Sequence, residues 1–151
     1  MLVINGIELE FDMTDADTYE KYMAGAGTLD AAMGESLGDA PTTEEYVKMV
    51  RKKCQAVRTF VDGIFGEGMG KKLCPKDSLN SCLDVQDAII DEVYRQNRET
   101  EEKTRIRAEK KRQREEYSRS LKENRAQKTA EKEGTRDEHE TDKGKMSLLR
   151  V

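Results

Sequence analysis

The chain has 151 residues, of which 35% are apolar and 38% are charged, and its formal net charge is −4 at pH 7. So many charges exclude a single core that packs every residue. The charges are uneven, because residues 1–90 carry 16 acidic and 9 basic side chains whereas residues 91–151 carry 15 and 18. We predict a compact domain over residues 1–97, a charged extended helix over 98–132 and a disordered tail over 133–151.

The cysteines, together with the lack of a targeting leader and of a membrane-length apolar run, predict the cellular compartment. The three cysteines, Cys54, Cys74 and Cys82, are an odd number in no metal-binding spacing. The sequence shows neither a charged-then-apolar leader nor an apolar run of membrane length. We therefore expect a cytosolic protein with reduced thiols and no contact with a membrane.

The first eleven residues predict a β-hairpin. Apolar and acidic residues alternate from Ile7 to Phe11, and Asn5-Gly6 suits the two positive φ angles of a type I′ turn. Leu2 to Ile4 should pair with Ile7 to Phe11. An isolated hairpin is marginally stable in water, so its apolar face must rest on a helix or on another subunit. Its exposed edge is the place where a homo-oligomer would form.

A short helix is predicted next. Thr14 and Asp17 have the spacing of a capping-box variant, and a helical stripe follows them. The stripe consists of Tyr19, Tyr22, Met23 and Ala26. Gly25 and Gly27 each cost about 1 kcal/mol relative to alanine inside a helix, so the helix is expected to end or fray there. Residues 28–39 are then either a weaker continuation or a mobile loop.

Residues 42–97 predict two helices joined by a glycine-rich turn. Thr42 and Glu45 have capping-box spacing at the start of the first helix, and Asp77 or Ser78 should cap the second. The first apolar stripe is Val47, Val50, Cys54, Val57, Val61 and Ile64. The second is Leu79, Cys82, Leu83, Val85, Ile89, Ile90, Val93 and Tyr94. Because these are the only large apolar surfaces, they should face each other.

The residue types predict neither a catalytic site nor a metal site. Asp12, Asp15 and Asp17 lack the loop glycine and terminal glutamate of a calcium motif, so they suit helix capping better. In the run GEGMGKK, Phe65 stands where a phosphate loop needs its first glycine and Lys72 replaces the hydroxyl residue. These glycines should instead supply helix-end and turn conformations. No cofactor is expected.

The segment after residue 94 predicts a solvated charged helix. Nine pairs of opposite charges lie four residues apart between Arg95 and Glu123, each contributing about 0.2 to 0.5 kcal/mol. Residues 94–128 carry a net charge of +6, which raises nucleic acid as a partner. The interleaved glutamates would repel phosphates and only Tyr117 could stack on a base, so a dedicated nucleic-acid site is not expected.

Three stretches of the sequence carry a resemblance to a known family. They are residues 2–12, residues 54–70 as CQAVRTFVDGIFGEGMG, and residues 83–90, and the most specific part runs from Phe60 to Gly68. Together they resemble small tail-module proteins of phages and prophages of Gram-positive bacteria, which are uncharacterised or called tail assembly chaperones. The resemblance covers roughly residues 1–95.

This resemblance implies a non-enzymatic assembly chaperone in the bacterial host cytoplasm. Its partners would be the tape measure protein, whose helical segments it shields, and the tail tube protein that later replaces it. The expected partner-binding residues are Phe60, Ile64, Phe65, Met69, Tyr19 and Tyr22. Each of these could equally fill the monomer core. The alternatives are a structural tail or connector subunit that stays in the virion, and a nucleic-acid-binding protein that uses the basic helix.

Overall fold

A computed structural model describes the backbone of residues 1–149 and the side chains of residues 1–133. The elements in chain order are β1 (Leu2–Ile4), β2 (Ile7–Leu9), α1 (Ala16–Gly34), α2 (Thr43–Phe65), α3 (Met69–Leu73) and α4 (Leu79–Leu149). The chain divides into two compact units, Met1–Glu101 and Glu102–Val151. The mainly α fold with an N-terminal β-hairpin, a small helical domain and a long charged C-terminal helix is confirmed. Apart from Glu133, the predicted tail over 133–151 lies outside the described side chains.

The N-terminal hairpin forms as the Asn-Gly pair predicts. β1 and β2 pair antiparallel, with Leu2 opposite Leu9 and Ile4 opposite Ile7. The φ angles of Asn5 and Gly6 are 51° and 77°, as a type I′ turn requires. The side-chain N–H₂ of Asn5 also donates to the carbonyl oxygen of Leu73 at 2.9 Å. This hydrogen bond fixes the turn against the end of α3.

Helix α1 is longer than the sequence predicts and begins at a different residue. Asp15, not Thr14, is the N-cap, and its carboxylate accepts from the backbone N–H of Thr18 at 3.0 Å. The helix continues through both internal glycines to Gly34. A Cβ on Gly25 would lie 3.0 Å from the ring of Phe60, so this glycine lets α1 approach α2 closely. The packing gained there offsets the low helical propensity of glycine at position 25.

Both predicted stripes enter one core together with the hairpin. Thr42 caps α2 as predicted, its hydroxyl accepting from the N–H of Glu45 at 3.2 Å. The buried residues are Leu2, Ile4, Leu9, Phe11, Met13, Leu29, Cys54, Val57, Phe60, Val61, Ile64, Leu73, Cys74, Cys82, Val85, Ile89 and Val93. The stripes extend beyond this core, however, because Val47 is 39% exposed and Tyr94 is 60% exposed. These two ends of the stripes are therefore not part of the core.

The glycine-rich turn contains a short helix, α3, that the sequence did not predict. Gly66 ends α2 and Gly68 begins α3, and both have positive φ, so the predicted turn role of these glycines is confirmed. Gly70 is buried, and its N–H donates to the carboxylate of Asp62 at 2.6 Å. A Cβ on Gly70 would lie 2.3 Å from the carbonyl oxygen of Arg58. Only glycine allows α3 to lie this close to α2.

Arg58 links α2 to the segment that precedes α4. Its Nε donates to the carbonyl oxygen of Cys74 and its Nη1 to the carboxylate of Asp77, both at 2.8 Å. Asp77 is thereby used in an ion pair. Ser78 takes the capping role, with its hydroxyl accepting from the N–H of Ser81 at 3.4 Å.

Gln96 ties the chain segment after the hairpin to α4. Its side-chain N–H₂ donates to the carbonyl oxygen of Phe11, and its side-chain oxygen accepts from the N–H of Met13 at 2.7 Å. The carboxylate of Glu92 also accepts from Gln96 and is held in turn by Arg95 at 2.7 Å. This set of contacts, named the Gln96 clasp, satisfies backbone groups that the short strands leave unpaired.

Two glycine substitutions should change stability in opposite directions. Gly70→Ala should lower the free energy of unfolding by about 3 kcal/mol, because the new methyl group meets backbone atoms of α2 that have no room to move. Gly63→Ala is the matched control, since this glycine is exposed within α2 and a Cβ there meets nothing within 4 Å. It should raise the free energy of unfolding by up to about 1 kcal/mol. Urea denaturation of both variants measures the difference.

A second pair of variants isolates the Arg58 contacts. Arg58→Ala should lower the free energy of unfolding by about 2 kcal/mol, because it removes two charge-assisted hydrogen bonds from a side chain that is only 15% exposed. Arg51 approaches the same Asp77 carboxylate at 3.8 Å but is 70% exposed. Arg51→Ala should therefore change stability by less than about 0.5 kcal/mol. Equal losses in thermal or urea melts would contradict this account of Arg58.

Candidate partner-binding surface

The structure separates the six predicted partner-binding residues into three groups. Phe60 and Ile64 are buried, at 4% and 8% exposure. Phe65, Met69 and Tyr22 are half-buried and pack against the core. Tyr19 is 51% exposed.

The expected cluster at the end of the central helix is therefore largely an internal packing site. Phe11 lies 5.5 Å from Phe65 and 6.4 Å from Tyr22 between ring centroids, and Tyr22 lies 5.8 Å from Phe60. Tilted and edge-on ring pairs at these distances stabilise a folded core. Phe60 and Ile64 are both covered in this conformation, in agreement with the alternative that they fill the monomer core.

The outer side of α1 exposes apolar groups instead. Met23 is 52% exposed and lies one turn from Tyr19. The stretch from residue 22 to residue 29, YMAGAGTL, contains no charged side chain, although Leu29 is the one residue of α1 that is fully buried. A helix that is apolar on all sides is normally covered on all sides. α1 is covered by α2 on one side, and its other side lacks a partner within the described residues.

Tyr94 of α4 adjoins this surface. Burial raises the pKa of Tyr22, and the neighbouring side chains of Tyr94 and Asp30 raise it further. Tyr94 thus lies near Tyr22 while remaining largely exposed. We name Tyr19, Tyr22, Met23 and Tyr94 the tyrosine–methionine face. Flexible methionine and amphipathic tyrosine side chains are well suited to binding another protein.

A groove lies at the opposite end of the α1–α2 pair, and sequence reasoning missed it. It encloses about 390 Å³ where the chain passes from α1 into α2. Its lining residues are Glu35, Ser36, Leu37, Glu45, Lys48, Met49, Lys52 and Lys53. Lys52 pairs with Glu35 at 2.6 Å, and Lys53 donates to the carbonyl oxygen of Met33 at 3.2 Å. Three of the four basic residues between 48 and 53 line this groove, but their presence in the sequence does not reveal a groove.

The charged part of α4 forms ion pairs along its own surface. Arg95 bonds Glu99 at 2.7 Å with the predicted spacing of four residues. Arg105 and Arg112 instead bond Glu102 and Glu109, three residues earlier, at 2.6 and 2.7 Å. Every described residue from 97 to 133 is exposed, Tyr117 included. This surface is mainly charged, with Ile106, Tyr117 and Leu121 as scattered exposed apolar side chains, and carboxylates of the same helix bond several of its arginines.

The three thiols are packed as core groups. Cys54, Cys74 and Cys82 are all free, and each is 0% exposed. Burial raises the pKa of the Cys54 thiol to about 12, and it also raises the pKa values of Cys74 and Cys82. Within the described part of the chain, no three His, Cys, Asp or Glu residues are grouped as metal ligands. The raised pKa values fit three thiols that serve as packing groups in the core.

Among the described residues, none of the helices combines the length and the apolar character that crossing a membrane demands.

Comparison with known proteins identifies one family. A model of a family of unknown function, DUF6673, matches residues 5–132, which is most of the chain. The match extends past residue 95, where the tail-module resemblance ends, and includes the charged helix up to residue 132. No curated protein and no solved structure matches the chain.

The burial of the thiols leads to a prediction about their reactivity. Only the thiolate reacts with an alkylating reagent, and a pKa raised from 9.0 to about 12 lowers the thiolate fraction of Cys54 at pH 8 about a thousandfold. The folded protein should therefore resist maleimide labelling at all three cysteines, and unfolding in guanidinium should expose three reactive groups. Mass spectrometry counts the labels. Fast modification of any cysteine in the native protein would contradict the packing described above.

Proposed function

The chain belongs to the DUF6673 family, and we propose that it acts as a non-enzymatic phage tail assembly chaperone. Its client would be the tape measure protein, whose helical segments it would hold until tail tube subunits replace it. The observation that carries this proposal is the uncovered apolar side of α1, where Tyr19 and Met23 are each about half exposed. The similarity of residues 2–12, 54–70 and 83–90 to tail-module proteins supplies the identity of the client.

The binding mode that suits this surface is a client helix lying along α1. Such a helix would place apolar side chains, repeating every three or four residues, against the tyrosine–methionine face. Small residues beside Met23, namely Ala24 and Gly27, leave room for close approach because a Cβ on Gly27 meets nothing within 4 Å. Phe65 and Met69 are half-buried, so a client could contact only the exposed part of each side chain. Phe60 and Ile64 would support this surface from beneath.

Coexpression with the tape measure protein from the same phage genome tests the proposal. The chain should raise the soluble fraction of the tape measure protein and copurify with it. A Tyr19→Ser/Met23→Ser variant should copurify at least about tenfold less, because it removes two exposed apolar anchors without touching the core. Tyr117→Ser is the control, since Tyr117 is 67% exposed and lies on the charged helix. A soluble, folded chain that leaves the tape measure protein insoluble would overturn the proposal.

One observation favours a second candidate, a structural subunit that stays in the tail. The hairpin is a two-stranded sheet, so each strand has one edge without a neighbouring strand, and Val3 is 58% exposed. Such an edge can pair with the same edge of another subunit. Mass spectrometry of purified virions separates the candidates, since a chaperone should be absent from the finished particle and a structural subunit should be present.

A further inference from the structure

Helix α4 separates its charges by side over residues 107–132. An α-helix turns by about 100° per residue, so positions three, four and seven apart share a side. A band about 120° wide contains eleven of these residues, of which eight are basic and none is acidic. We name this band the basic stripe. Its basic residues are Arg107, Lys110, Lys111, Arg114, Lys122, Arg125, Lys128 and Lys132, and its uncharged residues are Ser118, Leu121 and Thr129.

The acidic residues of the same segment lie outside the basic stripe. They are Glu109, Glu115, Glu116, Glu123 and Glu131. Glu115 is the nearest, about 20° beyond one edge, and Arg119 follows it one turn later; the other four lie at least about 60° from either edge. Four of the five glutamates that interrupt the basic residues along the sequence therefore face away from the stripe.

The structure shows the stripe as an open surface of the folded helix. Each of its residues is exposed. Lys111, Arg114 and Lys122 border one shallow depression, together with Glu115, Ser118 and Arg119. The ion pairs of Arg105 with Glu102 and of Arg112 with Glu109 join residues outside the stripe. The stripe extends over 25 positions, from 107 to 132, which is about 38 Å of helix.

We propose that the basic stripe binds the phosphate backbone of double-stranded DNA without regard to base sequence. Duplex DNA carries one negative charge per about 1.7 Å of its axis, so a length equal to that of the stripe offers about 22 phosphates. Lysine and arginine side chains that neutralise phosphates release condensed counterions, and this release drives nonspecific binding. The whole chain has a net charge of −4, so this binding depends on the separation of the stripe from the glutamates.

The composition of the stripe favours duplex DNA over other polyanions. Single-stranded nucleic acid is held by aromatic side chains on which successive bases stack, whereas Tyr117 is the only aromatic residue from 95 to 133. The major groove of B-form DNA is about 12 Å wide and admits an α-helix, while that of an RNA duplex is deep and narrow. Residues 1–90 of a second copy offer 16 acidic side chains mixed with 9 basic ones, not a row of like charge.

This site is separate from the surface assigned above to the tape measure protein. Tyr19 and Met23 belong to the unit Met1–Glu101, and every residue of the basic stripe belongs to the unit Glu102–Val151. DNA binding requires no tape measure protein, and the proposed chaperone role requires no DNA. Failure of either proposal therefore leaves the other in place.

Fluorescence anisotropy of a labelled duplex DNA of about 25 base pairs, titrated with the full-length chain, tests the proposal. The Kd should be micromolar at about 0.1 M salt, and log Kd should rise with log salt concentration with a slope of up to about 7. Arg114→Gln/Arg125→Gln should raise the Kd at least about tenfold and lower the slope by about 2, because two phosphate contacts are lost.

Arg112→Gln/Arg119→Gln is the matched control. It removes the same charge from the same residue type in the same helix, but both residues lie outside the stripe, and Arg112 already bonds Glu109 at 2.7 Å. Its Kd should stay within about twofold of the wild-type value, since it removes no phosphate contact. Circular dichroism checks that both variants remain helical. If Arg114→Gln/Arg125→Gln loses helicity, Lys111→Gln/Lys122→Gln takes its place and should show the same loss of binding.

Several outcomes would overturn the proposal. Equal weakening by the stripe variant and the control would show that net charge, not the stripe, governs binding. A wild-type chain that leaves the duplex unbound even at about 0.05 M salt would remove the site. Tighter binding to single-stranded DNA or to an RNA duplex of the same length would assign the stripe to that ligand instead. If light scattering shows that the stripe variant dissociates an oligomer while DNA stays unbound, the stripe binds the acidic unit of a second copy.

Discussion

The compact unit depends on how closely its other helices approach α2. Gly25 brings α1 against the Phe60 ring, and Gly70 brings α3 against the backbone of Arg58. At both positions the missing Cβ is what permits contact, and at Gly70 no other residue would fit. Close approach turns the aromatic side chains at the end of α2 inward. The exposed apolar side chains Tyr19 and Met23 consequently lie on the far side of α1, whereas Phe60 and Ile64 at the end of α2 are buried.

Features specified by neighbouring residues were predictable from the sequence. Asn5-Gly6 specified the turn, Thr42 specified the start of α2, and the apolar spacing specified two core-facing helices. Features that depend on distant residues were not predictable. Gly25 reads as a helix breaker until Phe60 lies beside it, and Arg58 reads as a solvated charge until Cys74 and Asp77 fold back to it.

The candidate surface was likewise predictable only where neighbouring residues specify it. Apolar periodicity cannot distinguish a residue that faces a neighbouring helix from one that faces a partner, so Phe60 and Tyr19 gave the same signal. Tyr94 continued the stripe of α4, yet its side chain is 60% exposed although Val93 beside it is buried and Gln96 is half-buried. The groove depends on the path of residues 35–42 between α1 and α2, and local sequence does not specify that path.

The Gln96 clasp has a consequence for the order of events during synthesis. Gln96 satisfies backbone groups of Phe11 and Met13, which lie 85 and 83 positions earlier in the chain. While the ribosome is still making α4, these groups have no such neighbour and the hairpin lacks part of its support. A nascent chain therefore carries its first strands without these hydrogen bonds until Gln96 has emerged. The segment after the N-terminal hairpin thus gains its last hydrogen bonds from a residue that is synthesised much later.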